Sequence, residues 1–203
     1  MILIQPVSDH DIPMLEQENA HIRRLTGRDD YLLAAVRVSS WNDDLSPWKA
    51  PPAFGGASFG GCGEETLRTL SGEILPLLLG DRCLKGRWIC LGGYSIAGLF
   101  ALWAGCRTNV FTGIAAASPS VWFPGFQEYF QSSQMNAKKI YLSMGDREVK
   151  TPGVSAAALE ETQLCLDAQG KECVLVWNPG NHFCEPELRT ARAFAWLINR
   201  FRK

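Results

Sequence analysis

Six short apolar runs punctuate the chain, at Ile2–Gln5, Tyr31–Val38, Trp88–Gly92, Gly113–Ala117, Lys139–Ser143 and Glu172–Trp177. Most are unbroken rather than strictly alternating, which is the pattern of strands buried on both faces. Between them, apolar residues recur at helical spacing over Ile12–Leu25, Glu64–Leu79, Ile96–Gly105, Val154–Gln169 and Pro186–Phe201. The last of these is the clearest. It carries Pro186 in its first turn, acidic residues around it, and Leu188, Ala191, Phe194, Ala195 and Ile198 along one stripe, with basic residues at its end. Strands alternating with helices predict an α/β fold: a parallel sheet of about six strands with helices on both faces.

Two stretches lack periodicity. Trp41–Gly63, rich in Pro, Gly, Asp and Trp, reads as a long surface loop, and loops of that length are often functional. Ser118–Ala137 is too short for a lid domain, so a minimal, fairly open site is expected. With 203 residues, 46% of them apolar, the chain fits one domain (1–203) that can bury a core without metals or disulfides.

Charge narrows the partners. Twenty basic and 21 acidic residues give a formal charge of −1, without the basic run that nucleic acid or an anionic membrane would require. A small molecule is the expected partner. No stretch reaches membrane-span length, and Met1-Ile2-Leu3-Ile4 reads as the start of a core strand rather than a removable signal. The seven cysteines (62, 83, 90, 106, 165, 173 and 184) are odd in number, scattered and without a C-x-x-C pair. They read as reduced thiols, and the expected location is cytoplasmic. Cys184 stands out only because it lies beside His182.

The chemistry centres on Gly93-Tyr94-Ser95-Ile96-Ala97-Gly98, where a serine sits between a strand-like and a helix-like run with almost no residues to spare. Passing from strand to helix within one residue holds the serine in a strained conformation and needs small residues two positions to either side. Gly93 and Ala97 supply them, Ala97 standing where glycine is more common. Ser95 is therefore the candidate nucleophile. Ile96, opening the helix, offers a backbone N–H to a developing oxyanion. A dinucleotide fingerprint would need glycine where Ser95 stands.

A serine nucleophile requires a base, and the base requires an acid to fix its tautomer. His182, in the loop between the last strand and the last helix, lies at the sheet end where open α/β folds bind ligands. His21 falls within a polar helical pattern. His10 follows the first strand and is a weaker binding candidate. The acid should come from the loop Gly145-Asp146-Arg147-Glu148, where both carboxylates qualify. Glu148, three residues past Gly145, is favoured, because Asp146 suits a turn residue bonded to nearby backbone. The second oxyanion donor is expected after the first strand, in Gln5-Pro6-Val7-Ser8. Pro6 has no N–H, which leaves Val7. No metal and no organic cofactor is implied, since nucleophile, base and stabiliser are all protein groups.

Gly93 to Ala104, Ser118-Pro119-Ser120-Val121-Trp122, Gly145 to Glu148 and Gly180-Asn181-His182 together resemble the esterase family of α/β-hydrolases that includes enterobactin-type siderophore esterases and esterase D-like enzymes. The likeness runs from about Trp88 to the C-terminus. It implies an α/β-hydrolase fold, a Ser95–His182–Glu148 triad, a carboxylic ester as substrate, and substrate contacts at Tyr94 and in the segment ending at Trp122. Relative to larger members the chain starts at the strand bearing the oxyanion loop, so their leading hairpin or extra domain is expected to be missing. Acyl transfer or thioester cleavage would use the same triad. A hydrolase-like binding protein without turnover would use the Trp-rich loop as its recognition surface.

Overall fold

The computed structural model describes residues 1–52, 55–80 and 88–201. Cys83 lies outside them. Six strands form one sheet: β1 (Ile2–Val7), β2 (Leu32–Arg37), β5 (Ile89–Tyr94), β6 (Gly113–Ala117), β7 (Lys139–Gly145) and β8 (Glu172–Asn178). The order is β2-β1-β5-β6-β7-β8, and every neighbouring pair is parallel. All six therefore end on one edge, which brings the loops after β5, β7 and β8 side by side.

The apolar runs form these strands because both faces of the sheet are covered. On one face lie α5 (Ile96–Arg107) and the helical stretch α3 (Gly63–Thr69), a π turn (Leu70–Ile74) and α4 (Leu75–Gly80), followed further along by α7 (Ala156–Ala168). The other face is covered by α1 (Leu15–Thr26), entered through a 3-10 turn at Ile12–Met14, and by α8 (Pro186–Arg200). Helix α5 is buried from Ile96 through Gly105. A helix apolar all round is stable only in such a position.

The described residues of Trp41–Gly63 are more ordered than a surface loop. They hold a four-residue helix α2 (Trp41–Asp44) and a two-stranded antiparallel ribbon, β3 (Lys49–Ala50) with β4 (Phe59–Gly60). Leu45 and Phe59 are buried in the core beside α3. Two-residue strands are too short to leave a period in the sequence. Helix α6 (Phe126–Gln131) likewise sits inside the Ser118–Ala137 stretch.

One buried acid lies between α1 and the sheet. Glu18 is 3% exposed and accepts a hydrogen bond from Gln5 Nε2 at 3.2 Å. Its Oε1 and that of Gln5 are buried without hydrogen bonds. Burial, opposed by the Gln5 bond, pushes Glu18 up to about 8. A carboxyl that holds its proton to that pH in the fold, and loses it near 4.5 when unfolded, contributes stability present in full below the unfolded value. The contribution is lost as pH rises through the folded one. Stability should thus fall by about 1.4 kcal/mol per pH unit across that window. In chemical denaturation at stepped pH, Glu18→Gln should remove this slope and exceed the parent in stability at pH 9. The same slope in both proteins would contradict it.

Candidate active site

Strand β5 ends at Tyr94 and α5 begins at Ile96, so Ser95 alone makes the turn, at φ 58° and ψ −119°. Such a conformation costs about 1–3 kcal/mol and must be held by its surroundings. Three backbone bonds hold it: Ser95 N–H donates to Ala117 O at 3.1 Å, and Ser95 O accepts from Leu99 and Ser120 N–H at 3.0 and 3.1 Å. A Cβ on Gly93 would lie 2.5 Å from that of Ala97. The methyl at 97 is accommodated because glycine stands opposite it.

The loop after β8 brings His182 to this serine. His182 Nε2 is 3.0 Å from Ser95 Oγ, and Nδ1 is 2.8 Å from Glu148 Oε2. Burial raises the carboxyl pKa of Glu148, but the hydrogen bond and charge of His182, the Gly145 amide and the Ser118 hydroxyl outweigh it, leaving the net value below the ordinary range. An ionised Glu148 can only accept, so Nδ1 carries the proton and Nε2 presents its lone pair to the Ser95 hydroxyl. With that proton directed at Nε2, the Ser120 hydroxyl, 3.3 Å from Ser95 Oγ, is left to donate to the same oxygen.

The two acids of the β7 loop have different partners. Asp146 Oδ1 accepts from Gly180 N–H at 2.8 Å, while Arg147 N–H donates to Gly180 O and Asp146 N–H to Asn178 O. Asp146 therefore ties the acid loop to the histidine loop. Glu148 alone reaches the imidazole. Gly145 is required at this crossing because a Cβ there would strike Gly180 O and crowd Glu148 and Arg189.

Arg189 was not foreseen. Its side chain is 1% exposed, and Nη1 lies 2.9 Å from Glu148 Oε1, 3.0 Å from Tyr94 Oη and 3.3 Å from Ser118 Oγ, while Nη2 donates to Pro179 O at 2.9 Å. One guanidinium thus joins the strand of the serine, the acid and the loop of the histidine. Ser118 was legible only as part of a motif. At φ 43° it donates its hydroxyl to Glu148 Oε1 at 2.8 Å. The sequence signal for Arg189 is its four-residue spacing from Ala193 and Leu197, which places a cation on a buried helix face.

Two expectations are corrected. Tyr94 does not line the cavity at Ser95; its hydroxyl donates to His182 O at 2.7 Å. Burial pushes the phenol up to about 12, so it keeps the proton it donates. Tyr94 supports the histidine from behind. The Val7 N–H faces away from Ser95. Val7 O accepts from Val38 N–H beyond β2, and the N–H and C=O of one strand residue point to the same neighbour. Its N–H is therefore directed at β2, whereas β5 lies on the opposite side of β1. His10, exposed after β1, is also outside the cavity lining. Ile96 and Trp122 line the cavity with Ser95, and Trp122 packs against Phe59 at 6.4 Å between ring centres. Cys184 donates to Asn181 Oδ1 at 3.4 Å within the histidine loop.

Solved structures share this parallel α/β fold. The siderophore hydrolase EstA from Aspergillus nidulans superposes with a TM-score of 0.77 at 19% identity, over 100% of this chain and 83% of that one. The enterobactin esterase FES from Shigella flexneri gives 0.64 at 16% identity, over 98% of this chain and 53% of its own. The present chain thus spans about half of that esterase. The enterobactin hydrolase IroE, in complex with DFP, gives 0.65 at 18% identity over 97% and 81%. No protein-family model and no curated protein sequence matches the chain.

Proposed function

We propose that this chain is a single-domain serine hydrolase that cleaves a carboxylic ester through an acyl-enzyme on Ser95. The observation that carries the reading is the unbroken hydrogen-bonded line from Ser95 Oγ through His182 to Glu148, at 3.0 and 2.8 Å, starting on a strained strand-to-helix turn. The shared fold with proteins named a siderophore hydrolase, an enterobactin esterase and an enterobactin hydrolase supports ester cleavage.

In this mechanism Ser95 Oγ attacks the ester carbonyl carbon as His182 Nε2 takes the hydroxyl proton. The carbonyl oxygen becomes an oxyanion and is received by the Ile96 N–H, one of the first, unpaired amides of α5. Glu148 holds the imidazolium. Collapse breaks the bond to the alcohol oxygen, which leaves with the proton from His182. Water, deprotonated by His182, then attacks the acyl carbon and returns Ser95 with a free carboxylic acid. Every proton and electron pair is supplied by substrate, water and these side chains.

Six cysteines among the described residues are free thiols, which supports the cytoplasm as the compartment. Among the described residues no helix is long and apolar enough to cross a membrane. Purified protein should release p-nitrophenol from p-nitrophenyl butyrate with sustained turnover. A rate equal to the buffer blank would contradict the proposal.

A further inference from the structure

The cavity in front of Ser95 has a volume of about 450 Å³, room for a substrate well beyond an acetyl ester. Its apolar walls come from three separate parts of the chain: Trp41 and Phe59 from the α2–β4 segment, Trp122 after β6, and Val154 and Phe183 flanking the acid and histidine loops. Asn42, Ser120 and Thr151 add neutral polar groups.

Among the described residues no lysine or arginine lines the cavity. Lys150 precedes the lining residue Thr151 but is exposed and outside the wall. Arg189 is buried behind Glu148 with both terminal nitrogens engaged. Among the described residues the one carboxylate that lines the space is Glu148, paired with His182.

An ionised carboxylate or phosphate entering this space would leave water with no lysine or arginine among the described lining residues to meet it, beside a carboxylate whose charge Arg189 already balances from behind. Desolvating an unpaired charge costs far more than desolvating a neutral polar group. An aryl or branched apolar group, by contrast, meets tryptophan and phenylalanine faces. Phe183 is 86% exposed at the mouth, with its ring edge-on to His182 at 5.6 Å. Because His182 must reach the departing oxygen, the alcohol part of the ester lies beside Phe183.

We propose that the cavity selects uncharged esters bearing an aromatic or bulky apolar group and rejects esters that carry an anionic group into it. This rests on the esterase reading and narrows it. The siderophore substrates named for the structural neighbours are therefore not a guide where they carry acidic groups.

The test uses three p-nitrophenyl esters of one length: hexanoate, the monoester of adipic acid, and that monoester with its free acid methylated. Binding is measured by calorimetry on Ser95→Ala, which is not expected to turn over. On the parent, kcat/KM is measured. The ionised adipate ester should bind at least tenfold more weakly than the hexanoate, and its methyl ester should recover most of the loss. Ala57 is exposed and lines the cavity, so Ala57→Lys should fold normally and raise affinity for the anion about tenfold. Equal binding of ionised and neutral esters would overturn the proposal. Discrimination in binding without hydrolysis by the parent would leave the selectivity standing and contradict the esterase reading alone.

Discussion

Ser95→Ala is expected to lower kcat for p-nitrophenyl butyrate by about 10⁴-fold or more while leaving the fold intact. The magnitude follows from the chemistry. Without the hydroxyl no acyl-enzyme forms, and the residual rate is what Ile96 and the cavity can provide to attack by water. In a serine triad, loss of the nucleophile alone costs about as much as loss of all three members, on the order of 10⁶. The conformation at Ser95 is imposed by bonds through its backbone, so removing Oγ does not release the turn. KM should change little, because Trp41, Phe59 and Trp122, which form apolar walls of the cavity, are untouched by the substitution. A variant within tenfold of the parent would remove Ser95 from the mechanism.

Arg189→Met is expected to show the largest loss of stability. Breaking a buried ion pair by removing one partner costs about 3–5 kcal/mol, because the surviving charge is left uncompensated. In a domain of this size each kcal/mol lowers Tm by roughly 2–4 °C, so a fall of about 10 °C should appear in calorimetry. Activity should fall too. Glu148 would lose one of the donors that fix its carboxylate, and Pro179 O would lose its guanidinium partner in the histidine loop. Misplacement by about 1 Å can cost 10²-fold. If the loss arises from the unpaired acid, Glu148→Gln in the same background should recover part of the stability and none of the activity. Strict additivity of the two substitutions would contradict the pairing.

The strands were legible because their apolar runs are unbroken and, in the middle of the sheet, buried on both faces; the structure lengthens β1, β5 and β7 by only two residues at the site end. Ser95 was legible because the turn demands Gly93 and Ala97 around it. Glu148 could be preferred over Asp146 but not separated from it, since the distinction depends on Gly180 arriving from another loop to engage Asp146. Val7 failed for a related reason. Which way an N–H points depends on where the ladder with β2 ends, and side chains leave no mark of that. The cavity wall from Trp41 to Phe59 was hidden because a four-residue helix and two-residue strands have no period. Arg189 was hidden because arginine is rarely buried unless paired, and its side-chain partners lie 41 to 95 positions away in sequence, with only the Pro179 carbonyl nearer, at 10.

The central claim is that the Ser95 hydroxyl, activated by His182, is the nucleophile. Treating the native protein with a fluorophosphonate and mapping the adduct by peptide mass spectrometry tests it most directly. One phosphonyl group per chain is expected, on the peptide containing Ser95, with labelling lost in His182→Ala. No adduct, or an adduct on another residue with Ser95 unmodified, would contradict the account.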